Sequence, residues 1–284
     1  MGSDGKGGNG NPPGTYLVIP YFSGDMGSRP LPSADPFWMC TSILINGSPY
    51  AGQQLMPGQN IQLSLDAINY GTLTAPAICL FFWANPTTAF TGATVQFIGQ
   101  TSVSLARNAL TLAGPVSWTV PTGTPEHICL LAEITSPGDA APADYDAALD
   151  RHYGQQNVHV TSAAPGGQIR VGFQMANGRT AASRFRLEVT HLSASHRALR
   201  HIVARHAVSR QAEQIELRRT GSKAAGHRHG LEADLASGEA LDVELTARVP
   251  ADAAPGSVIV LQLAQYERHR HQPVGGLGVV VKVT

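Results

Sequence analysis

Apolar and polar positions alternate with a period of two over much of the chain. From Gly58-Gln59 a run reads Ile61-x-Leu63-x-Leu65-x-Ala67 and stops at Asn69-Tyr70-Gly71. From Gly167-Gln168 a second run reads Ile169-x-Val171-x-Phe173-x-Met175 and stops at Asn177-Gly178. Such alternation predicts half-buried strands, and Asn/Gly is turn chemistry that ends them. Each run leads through a Thr/Ala stretch to a further strand, Ala77–Trp83 in the first half and Arg184–Thr190 in the second. The halves match again near their ends. Val120-Pro121, Pro125 and His127–Ile134 correspond to Val249-Pro250, Pro255 and Ser257–Ala264, and each half closes on one more strand, Asn157–Thr161 or Gly276–Val283.

This self-similarity predicts an internal duplication. The expected fold is all-β: two tandem immunoglobulin-like Greek-key β-sandwiches, with one short helix in the second. The expected boundaries are a flexible leader at 1–15, an acidic sandwich at 16–162 and a basic, His/Arg-rich sandwich at 163–284. The linker is the SAAPGG stretch, Ser162–Gly167. Tyr16–Pro20 and Met39–Ile45 are the early strands. The prolines fall between strands, where a missing N–H costs no ladder bond. One segment departs from period two. Within Ser195–Gln214, Leu199, Ile202, Val203 and Ala207 recur at helical spacing among arginines, which predicts a basic amphipathic helix capped by Ser195. Two further strands, one of them Arg200–Val208, are the alternative.

Composition agrees with short strands and many turns: 43% apolar and 14% charged residues, with 30 Gly and 19 Pro. No apolar run reaches the length of a membrane span, so no membrane insertion is expected. The N-terminus has no hydrophobic signal region, and Lys6 breaks the myristoylation pattern. Synthesis in the cytoplasm is the expectation, with export by another route left open. Cys40, Cys79 and Cys129 all lie in apolar strand-like runs, which favours buried thiols over a Cys79–Cys129 disulfide. Net charge is zero, but the halves differ. Residues 1–162 hold four basic and ten acidic groups; residues 163–284 hold sixteen basic and ten acidic ones, with eight of the eleven histidines.

The Asn-Tyr-Gly turn, the strand around Trp83, the stretch W-T-V-P…P-E-H-I-C-L-L-A-E-I from Trp118 to Ile134 and the piece D-R-H-Y-G-Q-Q-N-V-H-V up to Val160 together resemble the CARDB-type bacterial immunoglobulin-like domain. The resemblance covers Asp35 to Val160, and the second half shares it through the duplication. It implies an adhesion, spacer or targeting module and supplies no catalytic residues.

Catalytic motifs are missing from the sequence: there is no G-x-S-x-G, H-E-x-x-H or Walker A pattern. The literal G-x-G-x-x-G at Gly5–Gly10 has no strand before it and runs into two prolines, so it does not cradle a dinucleotide. No enzyme activity and no cofactor are expected. His227 and His229, and likewise His269 and His271, are H-x-H pairs able to chelate one cation from a strand face, and together they would offer four nitrogens. The intervening arginines favour solvated loop histidines instead. Asp139, Asp144, Asp146 and Asp150 offer hard oxygens for calcium, but no EF-hand pattern completes them. A solvated acidic loop is the favoured reading. Trp38, Trp83 and Trp118 would form a sugar platform only if exposed; Trp83 and Trp118 read as core. Nucleic-acid binding is disfavoured because the basic half has few aromatics and ten acidic groups.

The favoured function is therefore non-catalytic: assembly with itself or a partner protein, as a homo-oligomer or filament, with the acidic loop of one molecule meeting a basic belt on the next. That belt is Arg197, Arg200, Arg205, Arg210, Arg218 and Arg219. The alternative is a monomeric module that binds carbohydrate, protein or metal.

Overall fold

The computed structural model describes residues 14–31, 35–125, 127–204, 207–221 and 230–284. Strands run up to Gln156 as β1 (Leu17–Val18), β2 (Ile43–Ile45), β3 (Ser48–Pro49), β4 (Asn60–Asn69), β5 (Ala75–Ala84), β6 (Gln96–Leu105), β7 (Leu110–Thr119), β8 (Cys129–Thr135) and β9 (Tyr153–Gln156). They continue as β10 (Val158–Ala163), β11 (Gln168–Ala176), β12 (Ser183–His191), β13 (Ser209–Arg210), β14 (Glu213–Arg219), β15 (Gly230–Leu235), β16 (Ala240–Arg248), β17 (Val258–Glu267) and β18 (Pro273–Val283). Among the described residues there is no α-helix, and no helix is long and apolar enough to cross a membrane.

The first half forms two sheets. In one, β4 pairs with β7 along one edge and with β1 and β2 along the other; the second has the order β6-β5-β8-β9. In the second half, β11-β16-β14 faces a sheet of order β10-β18-β17-β12-β15, with β13 added beside β17. The pairing repeats between halves. β4 lies against β7 as β11 lies against β16, and β5 lies between β6 and β8 as β12 lies between β15 and β17.

The two Asn/Gly turns repeat at atomic detail. Asn69 and Asn177 are both fully buried. Each side-chain amide donates to a carbonyl four residues on (Leu73, Ala181) and to the last carbonyl of a neighbouring strand (Leu105, Leu235). Each side-chain oxygen accepts the backbone N–H two residues on, from Gly71 or Arg179. With the Tyr16 N–H donating to Asn69 and Asn177 donating to the Ala236 carbonyl, each side chain caps four backbone groups, which explains why the period-two runs stop at Asn.

Two expectations are corrected. Val158–Ala163 does not close the first half's sheets; it pairs in parallel with β18, from Val158 opposite Gly278 to Ala163 opposite Val283. The chain thus changes sheet at Asn157, before the linker. The amphipathic helix of Ser195–Gln214 is also absent from the described residues of that segment. A single 3-10 turn, Arg197–Leu199, is capped by His196 rather than Ser195, its Nδ1 accepting from the Ala198 N–H. Successive tight turns bury Leu199, Ile202 and Val203, so their three-and-four spacing is satisfied without a continuous helix. β-branched Ile202, Val203 and Val208 disfavour helix, and the chain then gains a ladder on β17, with Val258 N–H donating to Val208.

The sheet containing β17 and β18 is covered on both faces. Ile259, Leu261, Leu263, Val279, Val281 and Val283 enter the core of the second half. Val258, Val260 and Val280 enter the core of the first, with Leu199, Ile202 and Val203 from the turn. Two-sided burial is what makes V-I-V-L-Q-L-A and G-V-V-V read as continuous apolar runs rather than alternating ones. A smaller cluster around Phe82, Phe90, Leu131 and Tyr153 lies under the 136–150 loop. Cys40, Cys79 and Cys129 are free and buried, and burial pushes each thiol up to about 12.

Candidate functional site: a cleft at the seam between the halves

The seam is a buried, hydrogen-bonded contact. Trp38 is fully buried and donates from Nε1 to Gln262 Oε1 at 3.1 Å. Its ring lies against Gly278, where any Cβ would collide with the indole. Asn157, also fully buried, donates to the carbonyls of Thr87 (2.6 Å) and Gly276 (2.9 Å), while Gln155 reaches Gly276 as well (3.2 Å). Thr88 bonds Gln265 by side chain and Gln174 by backbone. The glycines of G-G-L-G therefore stand where strand β18 must approach Trp38, Phe37 and the Thr88 carbonyl closely.

Ion pairs join the halves at two places. Asp146 meets Arg179 at 3.0 Å, with Asp144 at 3.9 Å from the same guanidinium. Burial raises the Asp146 carboxyl to about 6 against the opposing pull of Arg179. At the other place Arg197 grips Asp35 with two nitrogens, at 2.8–3.3 Å, and stacks over the Phe22 ring at 3.9 Å. His196 Nε2 stands 3.4 Å from the same carboxylate.

Beside the Arg197–Asp35 pair opens a cleft of about 550 Å³, within the range of ligand sites. Tyr21, Phe22, Pro36, Met39, Pro49, Ile68 and Leu110 form its apolar walls, and Asp66, Arg200 and His201 its other charged or titratable groups. Asp66 is half-buried, which raises its carboxyl; burial and then Arg200, whose Nε is 3.0 Å from His201 Nε2, lower the His201 imidazole. Leu110, 60% exposed, projects from β7 at the mouth, and Leu112, 55% exposed, follows it on the same strand, an apolar exposure that water disfavours. The wall at 20–29 is preset. Asp25 accepts the backbone N–H groups of Tyr21 and Gly27 and pairs with Arg29 at 3.0 Å, both side chains at least 95% buried. Arg29 in turn donates to the Ile19 carbonyl and lies over the Tyr21 ring.

The sequence-predicted sites are divided rather than assembled. The four loop aspartates do not form a calcium cage: Asp144 and Asp146 face Arg179, and Asp139 and Asp150 flank His152 at 3.2 and 2.8 Å, with Arg151 on Asp139 at 2.6 Å. Among the described residues no three His, Cys, Asp or Glu side chains converge as a metal site. His269 and His271 are exposed in the turn before β18; His227 and His229 lie outside the described residues. The basic belt is not one surface element. Arg197 and Arg200 sit at the 3-10 turn, Arg210 on β13, and Arg218 and Arg219 on β14 of the other sheet; Arg205 lies outside the described residues. Arg218 pairs with Glu244, and Arg219 donates to the Glu232 carbonyl. None of the tryptophans is an exposed platform: Trp118 is 9% exposed and stacks with half-buried Trp83 at 6.2 Å. The cleft itself is absent from the sequence reading, because its walls come from segments more than 150 residues apart.

The Asp139–His152–Asp150 cluster gives a pH prediction. Burial opposes both carboxylate charges, but the His152 imidazolium and backbone N–H groups outweigh it and hold Asp139 and Asp150 below 3.8. Burial likewise opposes the imidazolium, but the two carboxylates raise His152 above 6.5. The aspartate contribution to stability is therefore complete above 3.8 and fades as pH falls through their lowered values. The His152 contribution is complete below 6.5 and fades as pH rises through its raised value. The melting-temperature gap between wild type and His152→Asn is expected to be widest between those limits and to shrink at pH 9; a gap that grows with pH would be inconsistent with the cluster.

No family model matches the chain, and no curated protein matches it. Three solved structures are distantly similar. A family 123 glycoside hydrolase from Clostridium perfringens is 10% identical with a TM-score of 0.30, over 45% of this chain and 23% of that one. The CupB6 tip adhesin from Pseudomonas aeruginosa is 9% identical with a TM-score of 0.26, over 80% and 89%. The collagen adhesin from S. aureus is 8% identical with a TM-score of 0.25, over 80% and 88%. At these values the likenesses carry no functional argument.

Proposed function

We propose that the protein is a non-catalytic, adhesion-type binding protein that holds a partner protein in the seam cleft. In this reading the halves are tandem immunoglobulin-like Greek-key sandwiches of the CARDB type, fixed to each other as one scaffold. The repeated strand pairing and the matched Asn69 and Asn177 caps support the duplication. The observation that carries the function is the cleft: an apolar groove with a rigid wall, ionic groups along its rim and the exposed Leu110 at its mouth. Apolar side chains of a partner would fill it, and Asp66, Arg200 and His201 would set orientation.

Charge-driven self-assembly is a weaker reading. Its acidic loop and the Arg197 end of its basic belt already have partners inside the chain. The proposal is tested by panning a random-peptide display library on the folded chain and measuring the selected peptides against Leu110→Glu.

A further inference from the structure

On the far side of β8 from the 136–150 loop, a small cavity is lined by two buried polar side chains. His127 is 8% exposed, and neither of its ring nitrogens has a protein hydrogen-bond partner. Gln156 is 4% exposed, and its Oε1 is likewise unpartnered. Both line a cavity of about 20 Å³ together with His159, Tyr50, Leu55 and Val158. Unpaired buried polar atoms are costly and rare, so those of His127 and Gln156 beside one void call for an occupant. The volume holds a single water or a single ion.

The donor set distinguishes between them. The His127 and His159 rings are 5.3 Å apart, centroid to centroid, and tilted by 55° rather than stacked. Two imidazoles bound to one tetrahedral ion at the usual metal–nitrogen length have ring centres roughly 5 Å apart. We propose that His127, His159 and the Gln156 amide oxygen form a binding site for a divalent transition-metal ion such as Zn²⁺ or Co²⁺. A neutral imidazole presents a lone pair to the ion, and His127 has both ring nitrogens without a protein partner. Two imidazole donors suit borderline ions better than calcium or magnesium. The exposed residues Gln53 and Gln54 form the rim past which an ion enters. The site is distinct from the H-x-H pairs; 32 residues separate its two histidines in the sequence, and the junction of β9 and β10 brings them together beside the start of β8.

The test uses the untagged full chain, stripped with chelator and titrated with Co²⁺ while its ligand-field absorption is recorded, and with Zn²⁺ while its melting temperature is followed. One Co²⁺ per chain and a rise in Tm with Zn²⁺ are expected. His127→Gln and His159→Gln should each weaken binding at least about tenfold, whereas changing His227, His229, His269 and His271 to Asn should leave it intact. Should His127→Gln fail to fold, His159→Gln at the half-buried position keeps the test decisive. No band and no shift in the wild type would mean a water-filled cavity and overturn the proposal. So would binding that survives His159→Gln unchanged or disappears with the four exposed-pair substitutions.

Discussion

Replacing Trp38 by alanine is expected to lower the unfolding free energy by about 3–5 kcal/mol, the range for deleting a fully buried aromatic. Trp38 fills the space between the first half and Gly278 and donates to Gln262. Its loss leaves a cavity the glycine cannot fill and a half-buried amide oxygen without its donor. The effect should reach both halves, because the sheet beneath the indole carries both cores. Urea unfolding followed by far-UV circular dichroism should therefore keep one transition and shift its midpoint. A loss below about 1 kcal/mol, or one confined to half of the signal, would show that the seam is a loose contact. Gly278→Ala approaches the same point from the other side, since the added methyl collides with the indole.

The second large effect is at the cleft wall. Asp25→Ala is expected to cost about 3–5 kcal/mol, because it strands the Arg29 guanidinium as a buried charge without its partner. It also removes the acceptor of the Tyr21 and Gly27 N–H groups. Thermal unfolding checks the stability. Limited proteolysis should show new cleavage near the wall before global melting, since the same carboxylate fixes the course of the chain from Tyr21 to Arg29. If Asp25→Ala and the double change Asp25→Ala/Arg29→Met are equally unstable, the cost comes from the lost backbone bonds. Recovery in the double variant identifies the unpaired charge.

Much of the fold was legible wherever burial is one-sided. Ile61 to Ala67 and Ile169 to Met175 alternate because one face carries the apolar side chains into the core and the other carries polar residues or glycine. Legibility failed where burial is two-sided. G-L-G-V-V-V shows no alternation, so nothing in it announced that Val280 serves one core while Val279 and Val281 serve the other. For the same reason Val158–Ala163 read as the closing strand of its own half, although its parallel partner lies more than a hundred residues on. In Ser195–Gln214, helical spacing matched a burial requirement that tight turns also meet. The ionic sites failed differently. Composition gave the opposite charges of the halves correctly, but not that Asp35, Asp144 and Asp146 would find arginines within the same chain. The repeated cap was visible at Asn69 and Asn177 because a fixed hydrogen-bonding task fixes the residue type. The cleft left no trace, since its walls share no local spacing.

The most direct measurement of the account is the affinity of panned peptides for the folded chain, with its molar mass recorded by light scattering in the same samples. The account predicts peptides rich in apolar residues and a mass near 29.9 kDa at low and high salt. It also predicts at least a tenfold loss of affinity in Leu110→Glu, a substitution at an exposed position that leaves the melting temperature unchanged. Peptides that bind Leu110→Glu as tightly as wild type, or a mass well above the monomer that falls as salt is added, would contradict it and return charge-driven assembly to the front.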